Sequence, residues 1–294
     1  MSATKEIEPP QQSVGIIAGG GDLPLQLLES CHKKNIIPYV VALKDQCKLE
    51  LQNYLTEEHF LWANLGAAGR IISFFKSHGV RDIIMIGAVK RPALTRLKPD
   101  LKAIQILSRI GFQALGDDGL LKIVKKELEK EGFSIGAIQD YCDRLLMPHG
   151  LLGQHKPSKH DEDTITLGVR ASQSIGALDI GQSVIVQGGV VIGVEGVEGT
   201  DALIKRCTSL LKPGGGAAIL VKTCKPQQDM TLDLPTVGPH TVKNAHESGL
   251  NGLILHAGHT LLIAPDDVAA YADKQRIFIL GVEIDSSSTP ILSL

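Results

Sequence analysis

Two carboxylates four residues apart, Asp229 and Asp233, lie in the segment Cys224-Lys225-Pro226-Gln227-Gln228-Asp229-Met230-Thr231-Leu232-Asp233-Leu234-Pro235-Thr236, with Lys222 just ahead of it. Carboxylate oxygens are hard ligands suited to magnesium or manganese, and Lys222 and Lys225 would balance the charge of a phosphate. The chemistry these residues could do is metal-assisted attack on a phosphate ester or anhydride. Drawn as an extended segment, Asp229, Thr231 and Asp233 face one side and Met230, Leu232 and Leu234 the other. An ordinary half-buried strand alternates in the same way, so the pattern alone leaves both readings open. Full extension also limits the metal chemistry. Four residues at about 3.3 Å rise set the two Cα atoms roughly 13 Å apart, against metal–oxygen bonds of about 2 Å. Either the backbone bends here or the two aspartates have different tasks.

Three other groups of residues bear on the same chemistry. Ala18-Gly19-Gly20-Gly21-Asp22-Leu23-Pro24 joins an apolar run to a helical pattern. Glycines at that place let backbone N–H groups approach an anion at a helix N-terminus, or simply make a tight turn. The dinucleotide fingerprint G-x-G-x-x-G fails because Pro24 stands where the third glycine belongs, and no P-loop motif exists. Gly87-Ala88-Val89-Lys90-Arg91-Pro92 follows the third strand pattern. In an open parallel sheet Lys90 and Arg91 would emerge beside the glycine turn, Arg91 suited to bidentate phosphate contact, although a basic loop is common without any ligand. Gly116-Asp117-Asp118-Gly119 opens a helical pattern, where an N-cap explains one aspartate and leaves Asp118 for a metal or a sugar hydroxyl. The ten histidines show no zinc spacing, and His240 and His246 read as surface or half-buried residues.

The elements that must position these residues follow from hydrophobic period. Val14–Ala18, Ile37–Leu43 and the run from Asp82 to Gly87 read as strands. Leu23, Leu27 and Cys31 mark one helix, and Ala68, Ile71, Ile72 and Phe75 another that stops at Gly79. Helical patterns near 98–110 and 118–131 and a short strand near 133–138 complete a Rossmann-like N-terminal domain with a parallel sheet, residues 14–140, after an extended tail at 1–13. The Pro-, Gly- and His-rich stretch 141–163 reads as a solvated inter-domain connection. Residues 164–294 form a second α/β domain with a mixed sheet. Its strands are Ser183–Gln187 and Val190–Val194 around a Gly188-Gly189 hairpin turn, then 217–223, 253–256, 260–263 and 277–281. Helices are expected from Thr200, over 239–248 and over 266–275.

Composition bounds the function class. The 294 residues are 43% hydrophobic and 21% charged with a net charge of −2, an ordinary globular balance that argues against nucleic acid as a partner. Five scattered cysteines read as reduced thiols in a cytoplasmic protein. The polar first dozen residues lack the apolar core of a signal peptide, and no apolar run approaches the ~18 residues that span a bilayer.

Taken together, IAGGGDLP (17–24), GAVKRP (87–92), GDDGLL (116–121), DIGQSVIVQGGVVIGVEGVEGTDALI (179–204) and KPQQDMTLDLPTVGP (225–239) resemble the UDP-2,3-diacylglucosamine pyrophosphatases of the LpxI type, in the family's order along nearly the whole chain. The resemblance implies a two-domain homodimer of lipid A synthesis that uses Mg2+ or Mn2+ to hydrolyse a lipid-bearing nucleotide sugar, giving UMP and 2,3-diacylglucosamine 1-phosphate. It implies an essential aspartate at Asp229 or Asp233. Substrate contacts are expected at Gly19, Gly20, Gly21, Asp22, Lys90, Arg91, Asp118, Gln187, Lys222 and Lys225. The substrate would lie between the two domains, with peripheral contact at the inner membrane surface. Thr231 stands where the family would carry a basic residue. Two other functions also suit the residues: a Rossmann-type oxidoreductase or nucleotide-sugar enzyme, marked by retained NAD(P), and a non-catalytic lipid-binding protein, inert to every phosphate ester.

Overall fold

Runs of branched apolar residues ended by glycine or polar residues become the strands of two units, Met1–Asp143 and Arg144–Leu294. The computed structural model describes residues 12–47, 49–89, 99–109, 117–142, 144–232 and 234–291.

In the first unit the strands are β1 (Ser13–Ala18), β2 (Ile37–Leu43), β3 (Phe60–Ala63), β4 (Asp82–Ile86) and β5 (Ser134–Ile135). All pair in parallel, in the order β3-β2-β1-β4-β5. The connections carry α1 (Leu23–Lys33), α2 (Ala68–Ser77), α3 (Leu101–Arg109) and α4 (Asp117–Lys130). This is the strand order of a Rossmann-type half, and the winding reverses between β1 and β4. Chains leaving the carboxyl ends of those two strands therefore diverge around one crevice, and both glycine segments start there. Leu27, Leu28 and Cys31 are the fully buried stripe of α1. Burial pushes the Cys31 thiol up to about 12, so it is an inert core residue, and none of the five cysteines forms a disulfide.

The second unit is a mixed sheet covered on both faces. Its strands are β6 (Gly150–Leu151), β7 (Ser183–Gln187), β8 (Val190–Val194), β9 (Ala218–Lys222), β10 (Thr236–Val237), β11 (Gly252–His256), β12 (Leu261–Leu262), β13 (Phe278–Ile284) and β14 (Pro290–Ile291). The main sheet runs β14-β13-β11-β9-β7-β8 with β6 also on β13, while β10 and β12 form a separate pair. β9, β11 and β13 are mutually parallel, and β7 lies antiparallel to β9. α6 (Thr200–Cys207), α7 (Pro239–Glu247) and α8 (Pro265–Gln275) cover one face, where Leu203, Val242 and Val268 meet Ile185, Leu220 and Leu255. α5 (Glu162–Ala177) covers the other, laying Ile165 and Val169 on Val184, Val186, Ile219 and Val221.

Two expectations change. The stretch 141–163 is largely exposed from Pro148 onwards, but its first residues are not: Tyr141 and Cys142 are buried in the first unit, and from Arg144 the chain is part of the second. Met147 is 1% exposed in the second core, Leu146 bridges Leu261, and β6 adds to β13. Proline, glycine and histidine in this stretch look like linker, but Leu145 and Met147 supply enough apolar surface to be buried. The second difference is α5, which the hydrophobic period does not announce. No helix among the described residues is long and apolar enough to cross a membrane.

Candidate active site

At the crevice of the first unit the two glycine segments cross. Gly19 N–H donates to Ile86 O at 2.8 Å, Gly20 N–H to Ala88 O at 2.8 Å, and Ala88 N–H to Gly20 O at 2.9 Å. A Cβ on Gly19 would sit 2.7 Å from the carbonyl oxygens of both Gly87 and Ala88, and one on Gly87 2.6 Å from Gly20 O. The glycines are thus required by the close approach of two backbones. Gly19 and Gly20, expected to cradle an anion, have already spent their N–H groups on protein carbonyls. Gly21, the next residue of the turn, stands at φ +89° with open space above its α-carbon. Asp22 occupies the N-cap of α1 without a side-chain bond to the helix. Lys90 and Arg91 lie outside the described residues. Asp118 stands in the first turn of α4, and its side chain is outside the described set as well.

In the second unit the aspartate segment continues from β9. It is not extended. Gln228 N–H returns to Lys225 O at 3.0 Å and Leu232 N–H to Asp229 O at 3.1 Å, so two turns follow one another. The backbone bends, the alternative that a shared metal would need. Asp229 Oδ1 accepts from Thr231 N–H at 2.9 Å and from Thr231 Oγ1–H at 2.7 Å, which orients the carboxylate from within its own turn. Thr231, where the family would carry a basic residue, serves here as that clamp. Leu232 and Leu234 are buried and Met230 is half-buried, in a segment that turns rather than alternates. Asp233 lies outside the described residues. These contain no group of three or more His, Cys, Asp or Glu able to hold a metal, so Asp229 by itself does not make a metal centre, although its hard oxygen donors suit Mg2+ or Mn2+.

Three residues expected at the substrate have partners inside the protein. Gln187 Nε2 donates to Lys212 O at 2.9 Å and Gly216 O at 3.2 Å, while its Oε1 accepts from Lys212 N–H at 2.9 Å. Its amide is saturated, and its work is to hold the loop before β9. Lys222, 8% exposed, donates to Thr236 O at 3.1 Å and Thr200 Oγ1 at 3.2 Å. Thr200 Oγ1 in turn donates to buried Glu195 at 2.7 Å. Lys225 pairs with Asp179.

A pair of histidines that sequence spacing passed over stands at the same edge. β11 pairs with β9 so that Leu255 lies beside Lys222, which brings His256 level with the start of the aspartate segment. His256 and His259 stack at 4.1 Å between ring centroids and 16° between planes. His259 Nδ1 lies 2.9 Å from Ala257 O, a contact that requires that nitrogen to carry the proton. His256 Nδ1 and Thr260 Oγ1 are buried without a hydrogen-bond partner. Burial first, and the neighbouring His259 second, hold His256 down at about 4, so it is neutral at pH 7. Only the i, i+3 spacing of the two histidines after a strand could have flagged them.

Models of the LpxI N-terminal domain and the LpxI C-terminal domain match residues 13–145 and 148–280. A protein of Caulobacter vibrioides (strain ATCC 19089 / CIP 103742 / CB 15) named UDP-2,3-diacylglucosamine pyrophosphatase LpxI is 34% identical over 278 residues, which cover 92% of this chain and 98% of the relative.

Two outcomes follow from this geometry. Gly19→Ala and Gly87→Ala should each lower stability without any ligand, by about 1–3 kcal/mol as for an overpacked core. Unchanged thermal midpoints in both would show that the crossing tolerates a methyl group. His256 titrates near 6.5 when unfolded and at about 4 when folded, so the native state favours the neutral ring. Its stability is full above pH 6.5 and falls as pH drops towards 4, by up to roughly 3 kcal/mol. Urea midpoints between pH 7 and pH 4.5 should therefore fall less in His256→Gln than in the wild type; equal slopes would refute the assignment.

Proposed function

The chain belongs to the LpxI family, and on that footing we propose that it hydrolyses the pyrophosphate of UDP-2,3-diacylglucosamine to UMP and 2,3-diacylglucosamine 1-phosphate in lipid A biosynthesis. The observation that carries this reading is Asp229. In a segment shared with the family, its carboxylate is oriented by Thr231 inside a two-turn bend beyond the carboxyl end of β9. In parallel α/β sheets that edge is where ligands bind.

Hydrolysing an anhydride between two phosphates requires neutralised charge and a placed water. A bound Mg2+ or Mn2+ would supply both, and Asp229 and Asp233 are the residues we assign to hold it. Lys90 and Arg91 are assigned to the phosphates together with the glycine turn at Gly21, and Asp118 to a sugar hydroxyl. The acylated substrate supports work at the cytoplasmic face of the inner membrane through peripheral contact. An uncharged edge strand supports a homodimer: β8, Val-Val-Ile-Gly-Val, leaves Val190 and Val194 exposed at 57% and 38%. A second copy pairing there would cover it.

The purified protein should release UMP from UDP-2,3-diacylglucosamine. Chelator should stop that release, and magnesium or manganese should restore it. Full turnover in excess EDTA, with no ion retained on the protein, would remove the metal from the mechanism. At least one of Asp229→Ala and Asp233→Ala should fold normally and lose about 100-fold or more in turnover. Near-normal turnover in both would move catalysis to other residues.

A further inference from the structure

The buried stripe of α5 changes chemistry halfway along the helix. In its first half Ile165, Gly168 and Val169 press on the sheet, and a Cβ on Gly168 would come within 2.6 Å of a Val221 methyl. In its second half Ser172 and Gln173 are as deeply buried, at 0% and 7% exposure, but polar. Apolar side chains would be cheaper to bury there unless every polar atom met a partner. The partners are the residues that leave β9.

Gln173 Nε2 donates to Thr223 Oγ1 at 2.8 Å and to Cys224 O at 2.8 Å. Ser172 Oγ donates to Gln182 O at 2.8 Å and lies 2.8 Å from Thr223 Oγ1. The serine proton is spent on that carbonyl, so Thr223 must donate to Ser172. The chain then has one direction, from Gln173 through Thr223 and Ser172 to Gln182 O. One turn further on, Gly176 O accepts from Gln227 Nε2 at 2.8 Å, and Asp179, just past the helix end, holds the Lys225 ammonium. Positions 172, 173 and 176 share one helix face, and Asp179 follows in a left-handed conformation past its end. Between them these four residues hold 223, 224, 225 and 227, and Gln228 Oε1 accepts from Lys225 N–H at 3.0 Å. Asp229 is the next residue.

We infer that Gln173 is a positioning residue for the hydrolysis. It meets no substrate, but it fixes where the continuation of β9 sets Asp229, with Gly176 providing the close approach beneath Lys225. The inference rests on the reading of Asp229 as a catalytic or metal-holding carboxylate.

The test measures steady-state UMP release and thermal midpoints for the wild type, Gln173→Met, Gly176→Ala and Ile165→Val. Gln173→Met keeps the volume and removes both donors. Its kcat should fall by about tenfold or more with KM within about threefold, because a displaced reacting group costs turnover rather than binding. Ile165→Val cuts a buried side chain at the other end of the same helix and should lower the midpoint with kcat unchanged. Gly176→Ala separates stability from positioning most sharply. Alanine is the better helix former, so the midpoint should hold or rise. Its Cβ would lie 3.3 Å from Lys225 Cα, so the segment must give by a few tenths of an ångström, and kcat should still drop. Gln173→Met and Gly176→Ala both within twofold of wild-type kcat would overturn the inference, as would losses that track the midpoint as in Ile165→Val. No UMP release by the wild type would overturn the underlying reading itself, a result the variant ratios cannot imitate.

Discussion

A strand that ends inside a protein leaves backbone N–H and C=O groups that its ladder no longer satisfies, and in this chain the residues at both candidate sites answer that constraint. Buried groups of this kind are almost always paired, because leaving one unmade costs about 1–3 kcal/mol. The first unit meets the need with backbone alone: the chains leaving β1 and β4 bond to each other through Gly19, Gly20 and Ala88. Only glycine lets them come close enough. The second unit uses side chains. Gln173 takes the carbonyl of Cys224 as it leaves β9, and Lys222 takes that of Thr236 where the chain returns to pair in β10. The thirteen-residue excursion bearing Asp229, residues 223–235, is therefore held at its start by α5 and at its end by a lysine from the strand it left.

The same constraint explains why residues with the look of ligand contacts turned inward. Glycines, a glutamine and lysines after strands are what an anion site needs, and also what a strand end needs. Gln187 donates and accepts across the loop before β9, and Lys225 is neutralised by Asp179. Residue type and spacing do not separate the two uses, because a carbonyl and a phosphate oxygen ask for the same donors. What separates them is whether a protein acceptor already stands within about 3 Å.

Legibility in the sequence follows the same division. Ile37–Leu43, Ser183–Gln187 and Val190–Val194 were readable to the residue, because short, mostly apolar runs bounded by glycine or polar residues have few alternatives. α5 was not. Its stripe reads Ile165, Gly168, Val169, Ser172, Gln173, Gly176, so the apolar signal stops halfway and glycine lowers helix propensity. Both interruptions are imposed by what the helix touches: Gly168 by the Val221 side chain, Ser172 and Gln173 by the end of β9. The β3 strand, four residues of Phe-Leu-Trp-Ala, was too short to stand out. Within the site, the two aspartates were visible as chemistry. The bend that Thr231 locks was visible only as the alternative to an extended segment, since a threonine two residues after an aspartate fits a strand equally well.

The buried polar face of α5 also bears on how the carboxylate can work. A hydrogen-bonded chain with all its members satisfied is more directional than an apolar contact, because donors and acceptors match in one arrangement and an offset leaves them unmet. Replacing Ser172 and Gln173 with leucines would give an adaptable surface and cost the Cys224 carbonyl its partner. An apolar surface would let the segment settle in several places of similar energy, whereas the amide of Gln173 admits one. A carboxylate that must meet a metal ion or a reacting phosphate within a few tenths of an ångström gains from that restriction, since the fixing is done during folding rather than at each turnover. The polar half of α5 is thus where the packing of the fold becomes the geometry of the site.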